Sequence, residues 1–154
     1  MKQDYLIDFD DYTGSLFHEW LLEEEQKGLY FAILPQVPDY VIVSDGRIWS
    51  SRHGKVLKAQ ICAGNQFYSR ARLRWEGTLR NLRVHRLVAL SFIENPNNEL
   101  EVDHINCNRS DNRIENLRWV NRKTNMNNLK CHQKKPHNPE YLRKNELDIS
   151  HITQ

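Results

Sequence analysis

The sequence predicts an α+β protein: a small antiparallel β-sheet lobe with a helix, followed by a compact strand–loop–strand–helix unit. Three observations predict it. From Tyr30 onward, short strand-like runs alternate with turn signals such as Asp45 and Gly46. A helical apolar stripe, Val84, Leu87, Val88, Ser91 and Phe92, separates the two parts. Residues 102–128, VDHINCNRSDNRIENLRWVNRKTNMNN, then place an acid–histidine pair, a turn-rich loop, an apolar strand and an Asn-rich segment in one span. Asn favours neither helix nor strand, so its repeated use marks turns or a site that needs neutral oxygen ligands.

At 154 residues the chain suits one ordinary domain, or two small lobes sharing a core. No apolar run approaches about 20 residues, which excludes a membrane-spanning helix. The start, MKQDYLIDFDDY, is acidic where a signal peptide is basic. Cys62, Cys107 and Cys131 are too few and too scattered for a disulfide framework, so a reducing, intracellular setting is expected. Cys131, His132 and His137 do not complete a four-ligand zinc set. The net charge of +2 hides an asymmetry: −6 over residues 1–30, +6 over 31–97 and +2 over 98–154. A basic middle beside an acidic leader points to a polyanion partner for the middle.

In chain order, residues 15–27 read as a helix with apolar Leu16, Phe17, Trp20 and Leu21, Ser15 as cap and Gly28 as terminator. Glu23, Glu24 and Glu25 read as its solvated side. Residues 40–44 and 47–51 read as a hairpin, and 55–61 as a third strand. Residues 67–75 are the clearest strand: Ala71, Leu73 and Trp75 fall on one face, and Arg70, Arg72 and Arg74 on the other. Asn81 reads as the cap of a helix over 82–93, with His85 and Arg86 on its outer side, and 95–98 is a turn. Residues 100–104 and 116–120 read as strands around a loop, with Leu117 and Trp119 facing one way. Asn121 caps a short helix to about residue 129, with Met126 and Leu129 turned inward. These boundaries give an acidic helical leader (1–29), a β-rich module with its linking helix (30–97), the strand–loop–strand–helix unit (98–130) and a polar tail (131–154).

The unit carries the parts of a phosphodiester hydrolase. Asp103 and His104 end the first strand and project in nearly opposite directions. That suits a division of labour across a phosphodiester, where a base takes a proton from water on one side and a metal neutralises charge on the other. His104 suits the base, because an imidazole titrates near pH ~6.5. Asn116 is placed to offer its side-chain carbonyl to the other ring nitrogen. Asp103 is a hard anionic ligand and Asn125 a hard neutral one, a sparse set that Mg²⁺ tolerates by keeping waters and using substrate phosphate. Asn127 and Asn128 compete with Asn125, while Asp111 and Asn112 read as loop-forming turn residues.

His104, Asn116 and Asn125, spaced by eleven and eight intervening residues, resemble the HNH nuclease motif in its His–Asn–Asn form. More closely, VDHINCN…DNRIENLRWV…TNMNN resembles the HNH homing endonucleases of phages and mobile introns. PDYVIVSDGRIWSS…GKVLKAQ resembles the β-rich DNA-binding module that precedes the nuclease, and VHRLVALSFIENP its linking helix; the resemblance covers about residues 30–130. It implies a ββα-metal fold and DNA cleavage with one divalent ion per site, Mg²⁺ with Mn²⁺ as alternate. It makes His104 the general base, Asp103 and Asn125 metal ligands, and Asn116 the residue that positions His104. Double-stranded DNA is the implied partner, with Arg70, Arg72, Arg74, His85, Arg86, Arg118 and Arg122 as contact candidates. A monomer or homodimer acting inside a bacterial or phage-infected cell is expected, and no membrane role. The rival readings are a DNA-binding protein that lost the chemistry and a non-specific nuclease. Two positions depart from the family: Cys107 stands where Gly is usual, and Thr124 where an acid is frequent.

Overall fold

The computed structural model describes residues 15–61 and 68–128. Residues 1–14 of the acidic leader, and Cys62, Leu129, Cys131, His132 and His137, lie outside these residues. Helix α1 (Ser15–Gln26) ends at Gly28, whose φ of +74° is the left-handed geometry that closes a helix. It lies over a four-stranded antiparallel sheet of β1 (Phe31–Ala32), β2 (Tyr40–Val43), β3 (Ile48–Ser50) and β4 (Lys55–Val56), in that order. All four residues of β2 are buried because both faces of the sheet are covered. Val41 and Trp49 meet Phe17 and Leu21 of α1, while Tyr40, Ile42 and Ile48 face the main core. Trp20 stacks on Trp49 with centroids 4.8 Å apart.

The expected third strand over 55–61 is two strands in different sheets. β4 pairs with β3, whereas β5 (Gln60–Ile61) pairs with β6 (Ser69–Trp75). The helix expected over 82–93 is corrected as well. Its first residues belong to β7 (Thr78–Arg83), and α2 runs Val84–Phe92. Asn81 caps nothing; it pairs across the ribbon with Arg72. The cause is a two-residue turn at Glu76 and Gly77, with φ of +49° and +80°, that folds β7 back on β6 with Trp75 opposite Thr78. Positive φ at both positions is the geometry that two-residue hairpins favour.

On β6 the expected alternation holds. Ala71 and Leu73 are buried, Arg72 and Arg74 are exposed and Arg70 is half-buried. Helix α2 buries Val84, Leu87 and Val88 in the main core. The last unit pairs β8 (Glu101–His104) with β9 (Leu117–Val120), and a short 3-10 turn (Ile114–Asn116) leads into β9. Leu117 and Trp119 pack on the main core, as expected. Helix α3 (Arg122–Met126) is capped by Asn121, whose side chain accepts from the Thr124 N–H at 2.8 Å. Met126 does not turn inward; it is 63% exposed. The fold is thus a mixed α+β arrangement of small antiparallel sheets with three α-helices among the described residues.

Glu24 is the other correction. The sequence placed it on a solvated side, but its side chain is buried beneath the sheet and grips Arg47 through two bonds of 2.9 and 2.6 Å. The Arg47 hydrogen bonds hold its carboxyl down to about 2, against the cost of burial. A carboxylate with a depressed folded value stabilises above its unfolded value and loses that contribution as pH falls toward the folded one. Wild type should therefore exceed Glu24→Gln in stability by about 2 kcal/mol at neutral pH. The gap should close as pH falls from about 4.5 toward about 2. Urea unfolding of both proteins across that range checks it, and a gap that does not vary with pH would remove Glu24 from this role.

Candidate active site

Strand alternation on β8 sets the site. Val102 and His104 face α2 and the core, whereas Glu101 and Asp103 face α3. Asp103 and His104 do project to opposite sides, as their adjacency in a strand requires.

His104 is 3% exposed, and an imidazole so buried needs a partner for its N–H. Its Nε2 lies 3.2 Å from Oδ1 of Asn112. The Asn112 amide donates to the Ser110 carbonyl through Nδ2, which leaves Oδ1 as acceptor toward the ring. That assigns the hydrogen to Nε2 and the lone pair to Nδ1 in the neutral ring. Burial pushes His104 below its ordinary value, opposed by Asn112 and by the charge of Asp103. The ring is therefore neutral at pH 7, as a base must be.

Asn116 does not offer its carbonyl to His104. Its Oδ1 accepts from the Asn106 N–H at 2.9 Å and its Nδ2 donates to the Asp111 carbonyl at 2.8 Å. One amide thus ties both arms of the loop between β8 and β9. Asn112, read from sequence as a turn residue, is the side chain that orients His104. Asn108 is the true turn former, accepting from the Ser110 N–H and hydroxyl. Cys107 adopts φ +66°, a left-handed geometry that explains why glycine is usual there. It is disulfide-bonded, a single bond rather than the framework that three scattered cysteines exclude. Gly46, in the β2–β3 turn, backs Asn112: at φ +95°, a Cβ there would meet the Asn112 Cβ at 2.8 Å. The Ile114 N–H also donates to the Ser44 carbonyl at 2.9 Å, fastening that turn to the loop.

On the opposite side of β8, Asp103 is 5% exposed and its Oδ2 accepts from Arg118 at 2.8 and 3.1 Å. Asn128 also donates to Oδ2, at 3.0 Å. Asn125 instead donates to Glu101 at 2.5 Å. The structure therefore brings two carboxylates of β8 and two amides of the α3 region together, and it does not place Asn125 directly on Asp103. Among the described residues, no three His, Cys, Asp or Glu side chains are grouped to hold a metal. The hard oxygen donors present, two carboxylates and two side-chain amides, fit a hard divalent cation that would complete its shell with water and substrate oxygens.

The expected DNA contacts divide. Arg72 and Arg74 are exposed on the ribbon, and Arg70 Nε is buried with no hydrogen-bond partner. Cross-strand pairing puts Asn81 and Arg83 on the same face, an extension that the missed β7 concealed. Arg86 donates to the Leu100 carbonyl at 2.9 Å and lies over the Trp119 ring. Arg118 is committed to Asp103, and Arg122 is exposed at the start of α3. His85 is corrected: it is not on the outer side of α2 but 2% exposed, packed between Tyr68 and His104. Tyr68 in turn carries the guanidinium groups of Arg83 and Arg109 at 5.1 and 5.0 Å from its ring centroid.

With this geometry in place, comparison with known proteins shows what the chain resembles. The HNH endonuclease family model matches residues 82–127. The chain is 40% identical over 88 residues to an HNH endonuclease of Acanthamoeba polyphaga mimivirus, covering 57% of this chain and 26% of that protein. It is 39% identical over 89 residues to DNA endonuclease I-HmuI of Bacillus phage SP01, covering 58% of this chain and 50% of that protein. Against H-N-H endonuclease F-TflII of Escherichia phage T5 the identity is 30% over 89 residues, covering 56% and 45%. The chain thus spans half or less of the length of these curated relatives. A solved structure described as DNA binding and cleavage by the HNH homing endonuclease I-HmuI superposes with a TM-score of 0.60 at 30% identity, covering 76% of this chain and 66% of that one.

The two amides should separate on mutation. Asn112→Ala should leave the His104 ring in mixed tautomers by nitrogen NMR, whereas Asn116→Ala should act on the loop and lower stability by about 1–3 kcal/mol in urea. A single Nε2–H tautomer persisting in Asn112→Ala would refute the assignment.

Proposed function

From the HNH endonuclease domain at residues 82–127, we propose that this chain is a metal-dependent DNA endonuclease of the homing type. The observation that carries the reading is a buried, neutral His104 held by Asn112, back to back with a carboxylate and amide cluster across one strand. His104 acts as general base: its Nδ1 takes a proton from water, and the water oxygen attacks phosphorus in line with the departing sugar oxygen. The P–O bond to that oxygen breaks. When bound, the divalent cation neutralises charge on the phosphate and the leaving oxygen. Asp103 and Asn125, the latter carried on α3, are the residues that would hold it. Asn128, beyond the end of α3, braces Asp103. Asn116 serves the reaction by keeping the loop closed.

The ribbon of β6 and β7 is the DNA-contacting module. Arg70, Arg72 and Arg74 form one face with Asn81 and Arg83, and a two-stranded ribbon fits the major groove. Arg122 adds an exposed cation beside the site, and Arg118 reaches DNA only if released from Asp103. One such site cuts one strand at a time, so a double-strand break needs two copies or two visits.

Incubation with a plasmid carrying a random-sequence insert should give nicked circles with Mg²⁺ and none with chelator, and His104→Ala should abolish nicking. Nicking retained by His104→Ala would overturn the catalytic assignment; binding without nicking by wild type would favour a DNA-binding protein on the same scaffold. Calorimetric titration with Mn²⁺ should show Asn125→Ala losing about tenfold or more in affinity, with Asn128→Ala losing less. The reverse order would move the ligand role to Asn128. Replacing both Arg72 and Arg74 by Ala should reduce the log–log salt slope of DNA binding by about two units. An unchanged slope would take them off the DNA face.

A further inference from the structure

The outward face of the β6–β7 ribbon carries two uncharged side chains that phosphate binding alone leaves without a role. Cross-strand register sets three rows on that face: Arg70 with Arg83, Arg72 with Asn81, and Arg74 with Leu79. Asn81 and Leu79 are both exposed, Leu79 by 47%. The core does not require them, because Ala71, Leu73, Trp75 and Leu82 on the opposite face meet it. Near the turn the usual pattern is inverted. Leu79 points outward among cations, while its neighbour Arg80 pairs with the fully buried Leu73 on the inward side. Burial alone would place these two residues the other way round.

We propose that Asn81 and Leu79 are the base-reading residues of the ribbon: the Asn81 amide takes the major-groove edge of an adenine, and Leu79 takes the C5-methyl of a thymine. The inference rests on the reading of the ribbon as the DNA-contacting module and adds what that module selects. Phosphate contacts fix register and orientation but carry no sequence information, so selection falls to side chains that meet base edges. A side-chain amide both donates and accepts, which matches the N6 donor and N7 acceptor of adenine. A leucine forms no hydrogen bond, and the apolar feature of the major-groove edge is the thymine methyl. Neither side chain carries charge, so neither adds to counterion release. The spacing separates their targets. Side chains two residues apart on one strand stand about 6.7 Å apart. One base-pair step is about 3.4 Å. The two readers therefore meet different base pairs. Each has an arginine directly across the ribbon, Arg72 beside Asn81 and Arg74 beside Leu79, to seat it against the backbone. Arg74 is itself steadied by donating to the Gly77 carbonyl at 3.3 Å.

The test is selection of random-sequence duplexes by the full chain in chelator, which prevents cleavage, followed by binding titrations on the selected duplex. Wild type should enrich an adenine whose preference falls about fivefold or more in Asn81→Ala. It should also enrich a thymine that Leu79→Ala no longer prefers. Uracil in place of that thymine removes only the methyl; it should weaken wild-type binding by about fourfold and leave Leu79→Ala binding unchanged. Both variants should keep the wild-type salt slope, unlike the Arg72 and Arg74 replacement. Both positions are exposed, so the variants should melt as wild type does. Unaltered base preferences in the two variants, or an equal uracil penalty in wild type and Leu79→Ala, would overturn the proposal and leave the ribbon's DNA contact standing. Wild type that binds every duplex equally would do the same. Wild type that binds no duplex would overturn the DNA-contacting module as well.

Discussion

The whole site depends on one constraint: a buried imidazole must have its N–H satisfied by a group that is itself fixed. Asn112 satisfies His104, and Asn112 is fixed from three directions. Its own amide bonds the Ser110 carbonyl, Asn116 ties the loop that carries it, and Gly46 lies against its Cβ. Each of these contacts helps hold Oδ1 of Asn112 at the ring, and loss of that acceptor from a buried donor costs roughly 1–3 kcal/mol. The many side-chain amides of this segment follow from that constraint. They donate and accept at once without adding charge beside a base whose neutrality matters.

Period-two alternation then separates the opposing demands of the chemistry. A neutral base and an anionic cation site are incompatible neighbours in one pocket, because each carboxylate would favour the protonated imidazole. Placing the proposed base and the proposed cation site on adjacent residues of β8 puts the strand itself between them. Val102 and His104 share the apolar side with α2, and Glu101 and Asp103 share the polar side with α3 and Arg118. The basic face of the ribbon continues toward the base side. Arg83 is both the end of that face and one of two guanidinium groups over Tyr68, which borders His104. Positive charge thus leads along the ribbon to the imidazole.

Much of this was legible in the sequence because it rests on short-range rules. The alternation of Arg70 to Trp75, the stripe of α2, the Asn121 cap and the opposed directions of Asp103 and His104 all follow from backbone periodicity. What was not legible depends on contacts between distant residues. Glu24 looks like one of three equivalent acids until Arg47, in another element, is placed beneath it. Asn112 and Asn116 carry the same functional group four residues apart, and only the closed loop decides which one reaches the ring. The ribbon was missed for a different reason: β7 is almost wholly exposed, so hydrophobic pattern gives it no signature. Glu76 and Gly77 were the available signal, as a two-residue turn after a clear strand.

The position of α1 explains why an acidic segment belongs on a protein whose middle is basic. Trp20, Phe17 and Leu21 cover the outer face of the sheet, and Glu24 brings the one charge that reaches through to Arg47. Arg47 also bonds Asp45, so the β2–β3 turn is held by a guanidinium shared between two acids. That turn contains Gly46, which abuts Asn112, and Ser44, which accepts from Ile114. The helix therefore acts on the base at one remove: it fixes the turn, the turn fixes the loop, and the loop fixes the imidazole. A charge pair remote from the proposed DNA face thus contributes to the geometry of the proposed reaction, and because Glu24 is buried the pair is screened by salt less than exposed charges are.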